Sequence, residues 1–437
     1  MSKRDGRVLA AGTICILAAV AWRLFSTIKR RPNDHVLPDE HEKEDGATRQ
    51  RGPRVLFISI ELASPLFSGN GIYARTVLHA LLTAIPDAHV LALCGQPPDG
   101  SSGLLADSVL TGAPVSMQER LAVRTARLSR WGSLDRTCDF EGFAAAASEF
   151  KPAALAFDPT AMVFVDWTGA MLATSLELAV PHMLYMNFRV FSANRGASVQ
   201  GDAAFYATKE SEAVTLADET VALCPSDADA IMHLVTTAEP CTETTRLAKE
   251  SRGARMRSFP VVSVLNPPLR ADLELLAKQL ITLAPDETIT TPPPPRKWLL
   301  CLCRLSPEKN VELFIRAVSE PGVALALKSM GVTPRLVGSG PDSVYVASLR
   351  QKFLDACPWA VVEDFKGGDP AWLADIFAAT ALNVHPALYE AFGMTVRRAL
   401  RGASSGSARV KGVCSRKMYR PEKGPSFFSH ALGHFAS

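Results

Sequence analysis

The chain lacks several patterns that would name a functional class at once. No complete Gly-x-Gly-x-x-Gly run follows a strand, so the dinucleotide fingerprint is missing and a nicotinamide-dependent oxidoreductase on tandem Rossmann domains is disfavoured. None of the seven asparagines begins an Asn-x-Ser/Thr sequon, and the nine cysteines are odd in number without framework spacing. Both features speak against a disulfide-stapled secreted module and lean toward a cytosolic body. Net charge is small, +3, and it comes from one end: nine Lys/Arg stand against the single acid Glu422 after Val396, while 38 basic and 43 acidic residues precede it. Overall basicity therefore carries no message about nucleic acid, and no nucleic-acid partner is expected.

Near the start, Val8 to Trp22 is an apolar run of fifteen residues flanked by Lys3, Arg4 and Arg7 and by Arg23, Lys29, Arg30 and Arg31. It is shorter than the ~20 residues of a spanning helix, but Leu24 and Phe25 extend it if Arg23 snorkels. With no clear small-x-small cleavage site near its end, residues 1–30 read as an uncleaved signal-anchor, a cleaved presequence being the other reading, and residues 31–52 as a polar, flexible stem. The expectation is a single-pass protein held in the endoplasmic reticulum or Golgi membrane by an N-terminal transmembrane helix. A slight excess of positive charge after the run favours a cytosolic main body.

The rest of the chain has room for two domains, since 437 residues with 47% hydrophobic content fill two cores. From Arg54 to Leu62 (RVLFISIEL) runs a solid apolar strand, followed by Ser68-Gly69-Asn70-Gly71 and an amphipathic helix over Ile72–Ile85. Strands are expected at His89–Cys94, Ala153–Phe157, Val163–Trp167, His182–Asn187 and Glu219–Cys224, with helices such as Gly169–Ala179, Phe205–Ala217 and Ser226–Leu234 between them. Solid apolar strands alternating with helices predict a parallel sheet covered on both faces. Asn266-Pro267-Pro268 and the TTPPPP stretch ending at Pro295 enclose one helix, which marks 266–296 as a linker between domains at 53–265 and 297–396. Beyond the linker the alternation restarts with Lys297–Arg304, Val311–Val318, Pro334–Gly338, Asp342–Leu354, Ala360–Phe365 and Ala371–Ala379. Residues 397–437 form a basic tail without period. Cys301 and Cys303 fall on one face of one strand and read as core residues, with no metal site.

Chemistry concentrates at strand ends, where ligands bind in such sheets. In the first domain the glycines Gly69 and Gly71 allow close backbone approach to a phosphate. Asp166 and Arg189 are candidates for the acceptor side, although Asp166 also suits a helix cap and Arg189 a surface charge. In the second domain Arg304 and Lys309 flank a strand-to-helix turn, RLSPEKN, and two cations beside free helix amides suit a diphosphate leaving group. Gly338 and Gly340 form a second strand–glycine turn. The stretch Ala378–Val396 (AATALNVHPALYEAFGMTV) reads as a helix end, a strand over Ala381–Pro386 and a new helix start. There Glu390 can accept hydrogen bonds from sugar hydroxyls while the amides of Gly393, Met394 and Thr395 face an anion. An ordinary capped strand-to-helix turn has the same residues.

Taken together, GNGIYAR, RLSPEKN, LVGSGP, GGDPAWLADIFAAT and HPALYEAFGMT, in this order and spacing from Arg54 to Val396, resemble the retaining nucleotide-sugar glycosyltransferases of glycosyltransferase family 4. The resemblance implies an α/β architecture of two facing Rossmann-like domains, the GT-B fold, with the second incomplete here. It implies transfer of a hexose from a nucleotide-diphosphate sugar to an acceptor hydroxyl with retention of configuration, and no metal or other cofactor. By the same resemblance Arg304 and Lys309 bind the donor diphosphate, and Gly338 and Gly340 line the donor side. Glu390 contacts the donor sugar with the backbone of Phe392, Gly393, Met394 and Thr395, and Gly69 and Gly71 close over the phosphates. A catalytically supportive position, often His in the family, is held by Asn187.

The chain departs from the family's pattern in two further places. Arg398 stands eight residues after Glu390 where the family has a second Glu, and the tail from Arg397 resembles nothing in the preceding domain. These departures imply a C-terminus diverging from a complete enzyme through altered splicing, a frameshift or a mispredicted gene end, with a disordered lipid-binding tail as the other reading. They also keep a second function open: a nucleotide-sugar-binding relative without turnover.

Overall fold

The structure is a computed structural model that describes residues 52–387 except 64, 67, 101–108, 111–112, 133, 135, 194–200, 238–260, 266–294, 341 and 367–369, together with Val413–Cys414. The chain divides into two compact units, Met1–Ala271 and Asp272–Ser437.

The described part of the first unit runs β1 (Arg54–Ser59), α1 (Gly69–Ala84), β2 (His89–Gln96), α2 (Val115–Gln118), β3 (Leu121–Arg127), α3 (Phe140–Ala145), α4 (Ala147–Phe157), β4 (Ala161–Val165), α5 (Asp166–Leu176), β5 (Met183–Met186), α6 (Ala203–Leu216), β6 (Glu219–Ala222), α7 (Pro225–Thr237) and β7 (Val261–Val264). The strands form one parallel sheet in the order β3-β2-β1-β4-β5-β6-β7. β1 pairs β2 from Arg54↔His89 to Ser59↔Cys94 and β4 from Val55↔Ala161 to Ile58↔Phe164. The chain thus builds outward from β1 in one direction, then returns and builds outward in the other, so the order reverses between β1 and β4. Every residue of β4 is buried, which is why it reads as a solid apolar run. β3 is the exception at the edge. Arg124 and Arg127 are both exposed and interrupt it, so no apolar run announces it.

The core of this unit is organised on Trp167, fully buried and ringed by Phe140 at 5.2 Å, Phe205 at 5.7 Å, Tyr206 at 5.9 Å and Phe191 at 6.3 Å between ring centroids. The edge-to-face geometry of several of these pairs adds to the burial itself. Ala153–Phe157, expected as a strand, is the second half of α4. Pro152 removes one helical amide, but the alanines and leucine after it are strong helix formers and carry the helix through.

The second unit repeats the plan with β8 (Trp298–Leu302), a 3-10 turn (Pro307–Lys309), α8 (Val311–Ser319), α9 (Pro321–Ser329), β9 (Thr333–Val337), α10 (Ser343–Ala356), β10 (Val361–Glu363), α11 (Pro370–Ala378), β11 (Thr380–His385) and β12 (Val413–Cys414). Its parallel order is β10-β9-β8-β11-β12, and the reversal lies between β8 and β11. One face of the sheet buries Leu299, Cys301, Leu336, Phe314 and Phe353; the other buries Leu300, Leu302, Val337, Leu373 and Ile376. Cys301 is fully buried, with its sulfur 4.0 Å from that of half-buried Cys303. Val413–Cys414, in the stretch read as a patternless tail, pairs with Val384–His385 of β11.

One expectation is corrected. No helix among the described residues is long and apolar enough to cross a membrane, and Val8–Trp22 lies outside the described residues. The transmembrane anchor, the membrane as a partner through it and the single-pass endoplasmic reticulum or Golgi placement drawn from it all fall together.

Candidate functional site

In the first unit the strand order reverses between β1 and β4, so the carboxyl ends of β1, β4 and β5 form the edge at which a ligand meets such a sheet. Asp166 is the first residue after β4, and it has left-handed backbone with φ 63°. Such a conformation costs an ordinary side chain of order 1 kcal/mol and, at a strand end, is where function stores strain. Its carboxyl is completely buried. Oδ1 accepts from the Trp167 amide at 2.8 Å, and Oδ2 has no hydrogen-bond partner among the described residues. Burial pushes the carboxyl up to about 7, against the Trp167 amide and the positive field of Arg189.

Around it lies a layer of buried polar groups. Asn187 follows β5, donating through Nδ2 to the Tyr185 hydroxyl at 3.1 Å and to the Arg189 carbonyl at 3.0 Å, and its Oδ1 has no partner among the described residues. Arg189 turns back over the Phe191 ring at 4.0 Å. Glu210 reaches in from α6 and holds the strand-end loop: it accepts from the Phe191 amide, the Ser192 amide at 3.2 Å and the Ser192 hydroxyl at 2.6 Å. Burial pushes Glu210 up to about 8, opposed by those donors and reinforced by Asp166. Burial first, then the charges of Asp166 and Glu210, raise the Tyr185 phenol well above its ordinary range. The edge thus gathers two buried acids with raised pKa values, Asp166 with left-handed backbone and Glu210, and two buried phenols, Tyr73 and Tyr185.

The glycine loop of the same unit is closed on itself. Ser68 caps α1, its hydroxyl accepting from the Asn70 amide at 3.0 Å. The carboxylate of Glu61, just past β1, accepts from the Ser68 amide at 2.7 Å, from the Ser68 hydroxyl and from the Gly71 amide at 3.3 Å. A Cβ on Gly71 would fall 2.7 Å from the Glu61 carboxyl carbon and 2.6 Å from Leu66, so glycine is required by these neighbours.

In the second unit Arg304 and Lys309 lie in the loop that leaves β8, Arg304 exposed and Lys309 half-buried. That loop is laced to the end of β9: the Cys303 amide donates to the Val337 carbonyl at 3.2 Å and the Leu305 amide to the Ser339 carbonyl at 2.9 Å. Gly338 and Gly340 make the lacing possible. A Cβ on either would stand 2.0 Å from the Cys303 carbonyl oxygen or 2.2 Å from that of Leu305. On the other side Asn310, itself left-handed at φ 50°, donates through Nδ2 to the Pro386 carbonyl at 3.3 Å. The loop bearing the two cations is therefore tied to both sides of the β8/β11 reversal. Glu390, Phe392, Gly393, Met394 and Thr395 lie beyond Ala387, outside the described residues.

Of the residues singled out in the sequence, the structure brings Asp166, Asn187 and Arg189 together at one edge, and Arg304, Lys309, Gly338 and Gly340 at the other. Glu61, Asn70, Tyr73, Thr168, Tyr185 and Glu210 were missed there. Glu61 sits in an otherwise apolar strand and Glu210 on a helix face that ought to be apolar; a charge in a buried register was the available signal. Asp227 and Asp229, an Asp-x-Asp pair, lie near the start of α7, and Asp227 in its first turn complements the helix dipole. No group of three or more His, Cys, Asp or Glu that could hold a metal occurs among the described residues.

No family model matches the chain, and no curated protein does. Solved structures do. Sucrose-phosphate synthase from Thermosynechococcus elongatus aligns over 80% of this chain and 79% of its own, with a TM-score of 0.53 at 17% identity. The catalytic domain of starch synthase IV from Arabidopsis thaliana, bound to ADP and acarbose, covers 88% of this chain and 92% of its own, with a TM-score of 0.52 at 15% identity. Trehalose 6-phosphate synthase from Burkholderia multivorans covers 88% and 90%, with a TM-score of 0.54 at 12% identity. The fold is that of GT-B glycosyltransferases. At these identities the likeness shows the fold alone, two successive Rossmann-like sheets in the same chain.

Proposed function

We propose that the chain is a retaining glycosyltransferase that moves a hexose from a nucleotide-diphosphate sugar to an acceptor hydroxyl. The observation that carries this reading is the loop after β8: in a GT-B fold, Arg304 and Lys309 stand at the second sheet's reversal, tied to β9 and to the end of β11. Two cations there meet the charge that develops on a diphosphate as the glycosidic bond breaks, and Arg keeps its charge at any working pH. Glu390 follows three residues after Ala387 and is assigned to the donor sugar with the backbone of Phe392–Thr395. On the first unit Asp166, Asn187 and Arg189 are assigned to the acceptor. A carboxyl near pKa 7 can accept a hydrogen bond from a hydroxyl or donate one to it, and Asn187 Oδ1 supplies an acceptor beside it.

The test is titration calorimetry of the full chain with UDP, GDP and ADP and then with their hexose conjugates. Binding of one nucleoside diphosphate, reduced at least tenfold in Arg304→Ala, supports the reading; no binding to the folded chain overturns it. Arg398 at the second Glu position favours one further reading, a nucleotide-sugar-binding relative without turnover. Donor binding with no release of diphosphate in the presence of glycan and lipid acceptors would select it.

A further inference from the structure

The first unit contains the geometry that ordinarily receives a phosphate, a strand, a glycine loop and the start of a sixteen-residue helix. The amides of that turn are already engaged. Ser68 and Gly71 donate to the Glu61 carboxylate, and Asn70 donates to the Ser68 hydroxyl, which in turn donates to Glu61. Glu61 comes from the end of β1, is fully buried and lies against the loop so closely that a methyl group on Gly71 would collide with it. Beside it Asn70 is also fully buried, with neither side-chain atom partnered among the described residues. A phosphate reaches these amides only by displacing a carboxylate that makes three hydrogen bonds to them and to the cap.

We infer that Glu61 is the anion of the first unit's glycine loop, a positioning residue that closes the loop's amides to phosphate and leaves diphosphate recognition to the second unit. A carboxylate at a helix start draws on the same amides and the same dipole as a phosphate would, and it is held in place covalently. The expectation that Gly69 and Gly71 close over the donor phosphates is replaced by this role: Gly71 is glycine so that Glu61 can approach. The inference takes its functional meaning from the glycosyltransferase reading, but its test does not depend on turnover.

The experiment uses inorganic pyrophosphate as the probe, on the full chain in the Arg304→Ala background, which removes one of the two cations of the second unit's loop. Calorimetric titration compares Arg304→Ala with Arg304→Ala/Glu61→Ala and Arg304→Ala/Glu61→Gln. The expected result is a pyrophosphate affinity at least tenfold higher once Glu61 is alanine, and a smaller gain with glutamine, which keeps the volume but not the charge. If the alanine variant fails to fold, the glutamine variant carries the reading alone. No gain in any folded Glu61 variant overturns the inference, and so does pyrophosphate binding in Arg304→Ala that is lost when Glu61 is replaced. Absence of nucleoside diphosphate binding to the wild-type chain would instead overturn the donor assignment, and leaves this comparison readable.

Discussion

Replacing Asp166 by asparagine removes one titrating proton from the buried edge and little else. Asparagine has nearly the same shape and tolerates the left-handed backbone at φ 63°. In the folded chain burial lifts the carboxyl from 3.8 to about 7. Between those values the native state holds a proton that the unfolded state has released. Stability is therefore greatest at low pH and falls as pH rises, by ~1.4 kcal/mol for each pH unit, until the native carboxyl ionises as well. Over the whole window the loss is about 4 kcal/mol. Glu210 moves in the same direction, from 4.5 to about 8, so around pH 6 unfolding of the wild-type chain releases these two protons.

Asp166→Asn should halve this part of the slope. Urea midpoints measured between pH 5 and pH 8 should decline with pH less steeply than in the wild type, by ~1.4 kcal/mol per pH unit up to about pH 7. Glu210→Gln should flatten the same interval and extend the effect toward pH 8. Because the two carboxyls feel each other, the double variant should fall short of the sum of the singles. A slope in Asp166→Asn equal to that of the wild type would refute the reasoning. Asp166 would then be ionised in the native state and its surroundings wet.

Further expectations follow from the second unit and the core. Arg304→Ala should weaken nucleoside diphosphate binding by about 1.5–3 kcal/mol, the range for a charge-assisted hydrogen bond, as read by calorimetric titration. Glu390→Ala should abolish hexose transfer while near-ultraviolet circular dichroism shows the first unit intact; undiminished turnover would remove Glu390 from the site. Gly340→Ala sets a methyl group 2.2 Å from the Leu305 carbonyl oxygen, so the two loops must part; both stability and donor affinity should drop, the former by more than 1 kcal/mol. Trp167→Ala should cost ~3–5 kcal/mol in urea unfolding, because four aromatic rings lose their common partner.

The α/β class and the two successive sheets were legible because β1, β4 and β8 are buried on both faces and can only be apolar runs. RLSPEKN stood out because two cations and a Pro close an apolar run, and the structure places them in the loop that leaves β8. What failed to show was whatever depended on partners distant in sequence. β3 is an edge strand interrupted by exposed arginines, and the Ala153–Phe157 run is apolar for either helix or strand, decided only by its packing in α4. Glu61 looked like the last residue of a strand. Its role appears only once Ser68 and Gly71, seven and ten residues on, fold back to it. Glu210 likewise gains meaning from Phe191 and Ser192 on another element. The membrane anchor was read from a short apolar run and its flanking charges, and no described helix is long and apolar enough to cross a membrane.

The two edges differ in electrostatic kind, and on the proposed reaction they have to. A donor diphosphate gains charge as its bond to the sugar breaks, so its site wants permanent cations, which a guanidinium supplies. An acceptor hydroxyl must give up a proton and is itself neutral, so a permanently ionised carboxylate beside it would oppose the anionic donor in the same reaction. Burial of Asp166 resolves the conflict: near pKa 7 the group is protonated in about half the molecules at neutral pH and adds only a partial charge, yet it remains able to accept a hydrogen bond. The strain at φ 63° points the same way. On the proposed reaction its unpartnered Oδ2 is the atom left to bind the acceptor hydroxyl.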